Sequence, residues 1–187
     1  MTQARAAYQQ RTATLDLRRV KFVDEAGVNL AMTRLYGRAP GGERSVGTIP
    51  LNYGANITLM GALGIDGLHA VMTVEGATDA DVFRTYVKQV LGPTLAPGDI
   101  VVLDNLSAHK APGIQQALAR RRARLLYLPP YSPDLSPMEL CLSKVKTALR
   151  AAKARTRMAL DATLQQVMKT VTAIDAQNWF KHCGYAL

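Results

Sequence analysis

Pro129-Pro130-Tyr131-Ser132-Pro133-Asp134-Leu135-Ser136-Pro137-Met138-Glu139 is the stretch on which the reading of this chain turns. Its prolines at positions 129, 130, 133 and 137 rule out a helix interior and a central strand alike. Each one fixes φ and removes a backbone donor. A rigid, extended loop is expected. After Ser136, Leu142, Val145 and Leu149 recur at helical spacing, so a helix is expected to begin at Pro137. Glu139 then sits in the first turn, where two readings stand open. In one, Ser136 and Glu139 form a capping box around the helix start. In the other, the stiff loop holds the Glu139 carboxylate still for chemistry.

Two upstream segments bear on that choice. Ile100-Val101-Val102-Leu103 is a short β-branched run ending in Asp104-Asn105, and Val20-Lys21-Phe22-Val23 leads into Asp24. Buried strands that end in an aspartate place a carboxylate at a sheet tip, facing a cleft. Glu25 follows Asp24 directly, so on a strand it points to the opposite face and is read as a supporting or solvated group.

The strand-terminal Asp104, the Asp104-Asn105 pair with His109 after it, the 34 residues between Asp104 and Glu139, and the Tyr-Ser-Pro-Asp-Leu-Ser-Pro-Met-Glu loop resemble the catalytic domain of DDE transposases. The branch they look most like is the mariner-type superfamily, and within it the bacterial insertion-sequence 630 type. The likeness runs from about Leu15 to Tyr185. It implies an α/β fold, a ribonuclease H-like mixed five-stranded sheet flanked by helices. It also implies Asp24, Asp104 and Glu139 as catalytic residues and metal ligands, with Asn105 and His109 supporting them. Mg²⁺ or Mn²⁺, as two ions, is the implied cofactor; Asp24 would bridge both, and Asp104 and Glu139 would each complete one site. Hard divalent ions favour such oxygen ligands, and paired ions suit in-line displacement at phosphorus. In that family water first cuts DNA, and the freed 3′-hydroxyl then attacks a target. Leu142 stands where the family has an aromatic, and Ser136 where Asn is commoner.

Composition is consistent with a nucleic-acid partner. The 187 residues suit one domain, and 23 basic against 14 acidic residues give a net charge of +9. Such an excess favours polyanions through counterion release. Arg38 and Arg44 in the Gly/Pro-rich loop 37–52, Lys110, the Arg120-Arg121 pair and Lys144 are the expected DNA contacts. Two cysteines without a CxxC pattern argue against a disulfide framework or zinc site. No apolar run approaches the ~20 residues of a membrane span, and the Arg-rich start lacks a signal-peptide core, so a cytoplasmic location is expected.

The remaining segments fill in the fold. Asn29–Tyr36 reads as a strand, Asn56–Leu63 and Leu68–Val74 as a hairpin about Gly64-Ile65-Asp66-Gly67, and Asp79–Leu91 as a helix stopped by Gly92-Pro93. A helix over Pro112–Arg121 and a strand over Arg124–Leu128 follow. Residues 1–16 are expected to be a lead-in and 17–187 the catalytic domain, without the helix-turn-helix modules of full-length transposases. A homodimer, or a separate chain supplying end recognition, is the expected assembly. The rival expectation is a catalytically idle, basic DNA-binding remnant. A different ribonuclease H-like nuclease is a third, which the proline loop speaks against.

Overall fold

The expected first strand is longer than its apolar run. β1 (Val20–Val28) continues past Asp24 because its antiparallel ladder with β2 (Ile57–Gly64) holds as far as Val28 opposite Ile57. The computed structural model describes residues 2–186; Met1 and Leu187, at the outer ends of the two expected segments, lie outside it. β3 (Gly67–Glu75) completes the hairpin, while β4 (Ile100–Leu103) and β5 (Arg124–Tyr127) add in parallel on the other side of β1. The result is the expected mixed five-stranded sheet, in the order β3-β2-β1-β4-β5.

Alternation along the strands feeds two cores. Val20, Phe22, Ala26 and Val28 of β1 face one layer, made by α1 (Thr2–Thr12), α4 (Pro137–Ala152), α5 (Arg157–Lys169) and α6 (Ala173–His182). Val23 faces the other, made by α2 (Ala80–Tyr86) and α3 (Ile114–Arg120). β2 is buried along its whole length. Phe22 anchors the first core, its ring 5.3 Å from both Phe180 and Tyr185 in edge-on contacts. Such pairs add about 0.5–1.5 kcal/mol to the area they bury.

Two local expectations need correction, and one of two open readings closes. Asn29–Tyr36 is not a strand. The Asn29 side chain accepts from the Ala31 amide and turns the chain. Arg155 then takes the Leu30 and Met32 carbonyls that a ladder would use. The whole stretch 29–56 is irregular and links β1 to β2. The helix capped by Asp79 changes character before its expected end: after α2, a wide turn at Val87–Leu91 passes into a tight one at Gly92–Thr94. Finally, no capping box forms at Ser136, whose side chain makes no cap hydrogen bond.

The proline loop is anchored from behind by both ends of the chain. Tyr185 Oη donates to the Leu135 carbonyl at 2.7 Å and shares a 3.0 Å hydrogen bond with Tyr8 Oη on α1. On the same face of α1, Arg5 reaches Ser132 Oγ and forks onto Asp134. The two links differ in worth, since the tyrosine pair is buried and the arginine fork is exposed. Tyr185→Phe leaves the Leu135 carbonyl without its donor and should cost about 1–3 kcal/mol in urea unfolding. Arg5→Ala, which removes an exposed ion pair, should cost clearly less. Equal losses for the two would overturn this ranking.

Candidate active site

Register brings the first two carboxylates level. Phe22 pairs with Val102 across the parallel β1–β4 ladder, so two residues further on Asp24 stands beside Asp104, just past the end of β4. On its other side Asp24 pairs with Gly61 of β2. A Cβ there would come within 3.1 Å of Leu68 Cδ1 and 3.3 Å of Met138 Cε. The bare glycine therefore lets the first turn of α4 press onto the sheet beside Asp24, with Met138 fully buried. Glu139 is the next residue. Asp24, Asp104 and Glu139 line one cleft of about 550 Å³, walled by Leu128–Pro133 of the proline loop.

The Asp24 carboxyl is pushed up to about 7, first by burial and then by the negative charges of Glu139, Asp104 and Glu25; the Glu25 amide, which donates to it, works the other way. Asp104 is held below the usual carboxylate range. Burial alone would raise it, but the His109 hydrogen bond, the Leu106 amide and the nearby His109 and Lys110 charges outweigh that. The His109 ring is buried to exclusion of solvent, 2.5 Å from Asp104 Oδ1 through Nδ1 and 2.9 Å from Glu25 Oε2 through Nε2. Burial works against its charge, yet the two carboxylates lift it to about 9. Phe83 stacks on the ring at 4.2 Å, and Tyr127 Oη donates to the His109 carbonyl.

Sequence reasoning anticipated that Glu25 leaves Asp24 for the other face, but not that it finds His109 there. The signal was present in two parities: Glu25 is one step out of phase with Asp24, and His109 lies one short turn after Asp104. Asn105 does not support Asp104 as expected. Its Nδ2 donates to the Leu128 carbonyl, bolting the start of the proline loop to the end of β4. Tyr131 was not foreseen at all. At φ 53° it carries its ring, 89% exposed, to the mouth of the cleft.

The expected DNA contacts are scattered. Arg38 and Arg44 are exposed on the irregular stretch 29–56. Lys110 lies 5.6 Å from the Tyr127 ring centre, near the cleft. Arg120 and Arg121 line a separate hollow of about 320 Å³ with Lys88, on the α2–α3 side. Lys144 is committed within the fold, where its Nζ donates to the Thr170 carbonyl and to Asp175.

Among the described residues, no three His, Cys, Asp or Glu side chains are gathered closely enough to hold an ion as they stand. The donor chemistry nonetheless fits a hard divalent cation. Asp24, Asp104 and Glu139 share one cleft whose lining Glu25 also joins, and the repulsion among these acids helps raise Asp24, which is the charge imbalance a cation relieves.

A family model described as DDE superfamily endonuclease matches residues 19–161. A comparison with curated proteins finds no match. Among solved structures, the Mos1 mariner paired-end complex with Mn superposes with a TM-score of 0.78 at 16% identity, covering 96% of this chain and 56% of the other. The Mos1 transposase paired-end complex with left transposon end gives 0.76, also at 16% identity and with the same coverage. The catalytic domain of Mos1 mariner transposase gives 0.71 at 14% identity, covering 96% of this chain and 84% of that one. At these identities the likeness is one of fold, and the fold is ribonuclease H-like. The chain spans little more than half the length of the transposase in the paired-end complexes.

The charge on Asp24 has a consequence for stability. An acid raised in the folded state binds its proton more tightly there than when unfolded, near pH 3.9. Stability is therefore lost as pH climbs from about 4 through about 7, and the penalty is complete above that. Asp24→Asn, which keeps the oxygen facing the Glu25 amide, should stabilise the metal-free chain by about 1–3 kcal/mol at pH 8 and leave it unchanged near pH 4. Thermal melts at both pH values check this; the same shift at each would mean that charge is not the cause.

Proposed function

The chain belongs to the DDE superfamily endonucleases, and on that premise we propose that it is the divalent-metal-dependent catalytic domain of an insertion-sequence transposase. It would cut DNA phosphodiesters by hydrolysis and join ends by transesterification, as a member of the insertion-sequence 630 branch of the mariner-type superfamily. The observation that carries this reading is the meeting of Asp24, Asp104 and Glu139 in one cleft, from two neighbouring strands and a helix start. The Mos1 structures with Mn and with Mg support the choice of ion, and the complex with a transposon end supports DNA as substrate.

Asp24, Asp104 and Glu139 would hold two Mg²⁺ or Mn²⁺ ions. When bound, these would supply Lewis-acid stabilisation of charge at the phosphorus and a more acidic attacking hydroxyl. The rest falls to the chain itself. His109 fixes one oxygen of Asp104 and carries positive charge behind it at neutral pH. A protonated ring with both nitrogens engaged has no lone pair to take a proton, which supports a positioning role over that of a base. Asn105 and the Tyr185–Leu135 link keep the proline loop, and with it Glu139, in place. The partner is DNA, with either a second copy of the chain or a separate chain recognising the element ends; residues 17–187 would form the catalytic unit.

Supercoiled plasmid with Mg²⁺ or Mn²⁺ tests this. The chain should nick it, and Asp24→Asn, Asp104→Asn and Glu139→Gln should each reduce nicking to background while still binding DNA. Nicking that survives all three substitutions sinks the carboxylate assignment. DNA bound but never cut, by the unaltered chain, would favour an idle remnant.

A further inference from the structure

The outer face of α4 carries a stripe that begins at the cleft. Glu139, Lys146 and Arg150 stand at i, i+7 and i+11, so they share one side of the helix. Lys146 and Arg150 lie about 10 and 16 Å along the axis from Glu139, at 1.5 Å per residue. There they meet the irregular stretch 29–56, which contributes Arg34, and the three cations border two adjoining hollows of about 390 and 380 Å³. Like charges gathered in a groove repel one another unless an anion joins them. Two other cations of these helices are neutralised within the fold: Lys144 pairs with Asp175 and Arg157 with Asp161. Among the described residues, Arg34, Lys146 and Arg150 have no carboxylate within 4.0 Å.

The same groove displays aromatic rings. Tyr53 lines one hollow and Tyr36 the other, 65% and 90% exposed. Cations tracking a backbone beside open aromatic faces are the combination that holds unpaired bases. A duplex keeps its bases stacked on one another and offers no open face to such rings.

We propose that the groove between α4 and residues 29–56 binds a single, unpaired DNA strand leading away from the cleft, with Arg34, Lys146 and Arg150 on its phosphates and Tyr36 and Tyr53 against its bases. This rests on reading the cleft as a DNA-cutting site and names the strand segment that the site would receive. Lys144, the lysine expected on this helix, faces α6 instead.

Binding measured in EDTA separates this proposal from the cutting reaction. Fluorescein-labelled single strands and the matching duplex would be titrated against the chain at several salt concentrations. Lys146→Ala with Arg150→Ala should lower the slope of log affinity against log salt by about 1.4 for the single strand. Removing two exposed charges elsewhere, at Lys169 and Arg124, should lower it less. Tyr53→Ala should weaken the single strand about tenfold and leave the duplex unchanged. A slope that falls no further than in the control overturns the phosphate track, and an equal loss for duplex and single strand overturns the unpaired-base part. Photo-crosslinking of a bromouracil-labelled strand to the unaltered chain avoids any folding defect. Crosslinks at Tyr36 or Tyr53 are expected, and crosslinks confined to the α2–α3 side would overturn the proposal. Failure to nick plasmid, with these results intact, would count against the catalytic reading alone.

Discussion

A carboxylate on the middle strand of a sheet covered on both faces is costly, and Asp24 is such a group. Its neighbours on either side are strands, and the helix packed over it brings a second acid rather than a base. An apolar residue at position 24 would extend the alternation of Phe22 and Ala26 and deepen the core. Instead the fold accommodates charge. Gly61 gives up its side chain so that Met138 can approach, and Met138 in turn fixes where Glu139 emerges. The destabilisation is local, and a packed sheet of two cores tolerates it.

The opposite face of the same strand carries the compensation. Glu25, His109 and Asp104 form a chain in which one imidazolium lies between two carboxylates. Removing His109 leaves two carboxylates without their shared partner in a poorly hydrated place, which is more costly than never having had the pairs. The chain also divides labour between the carboxylates at the sheet tip. Asp104 stays ionised and oriented at neutral pH, while Asp24 sits near its midpoint. Two aspartates of the same type, level on adjacent strands, thus differ because Asp24 is the more deeply buried and only Asp104 has a histidine beside it.

Much of the fold was legible because its signals are local. The hairpin at Gly64–Gly67, the strand ending at Asp104 and the helix starting at Pro137 each follow from turn chemistry, β-branching or proline geometry. The three carboxylates and the His109 beside Asp104 could be named, but the other residues that hold them in place could not. Asn105 was read against its sequence neighbour Asp104, whereas its partner is a carbonyl 23 residues away. The strand over Asn29–Tyr36 failed for a similar reason. Leu30 and Met32 do pack against the core, so the apolar pattern was real, but Arg155, more than 120 residues on, occupies their carbonyls. A strand needs a ladder partner as well as a pattern, and sequence shows only the pattern.

Helix α4 joins these themes. Its start is set by a loop with few backbone hydrogen bonds of its own, so the position of Glu139 depends on links from α1, α6 and its C-terminal end, and the tip of β4. Its buried face, Met138, Cys141, Leu142, Val145 and Leu149, fixes the rotation of the helix about its axis. Once that rotation is set, Lys144 must turn towards Asp175, and Lys146 and Arg150 must turn outwards beside residues 29–56. Packing therefore decides which basic residues of one helix are available to a polyanion. Composition counts Lys144 and Lys146 alike, and only the burial of their neighbours tells them apart.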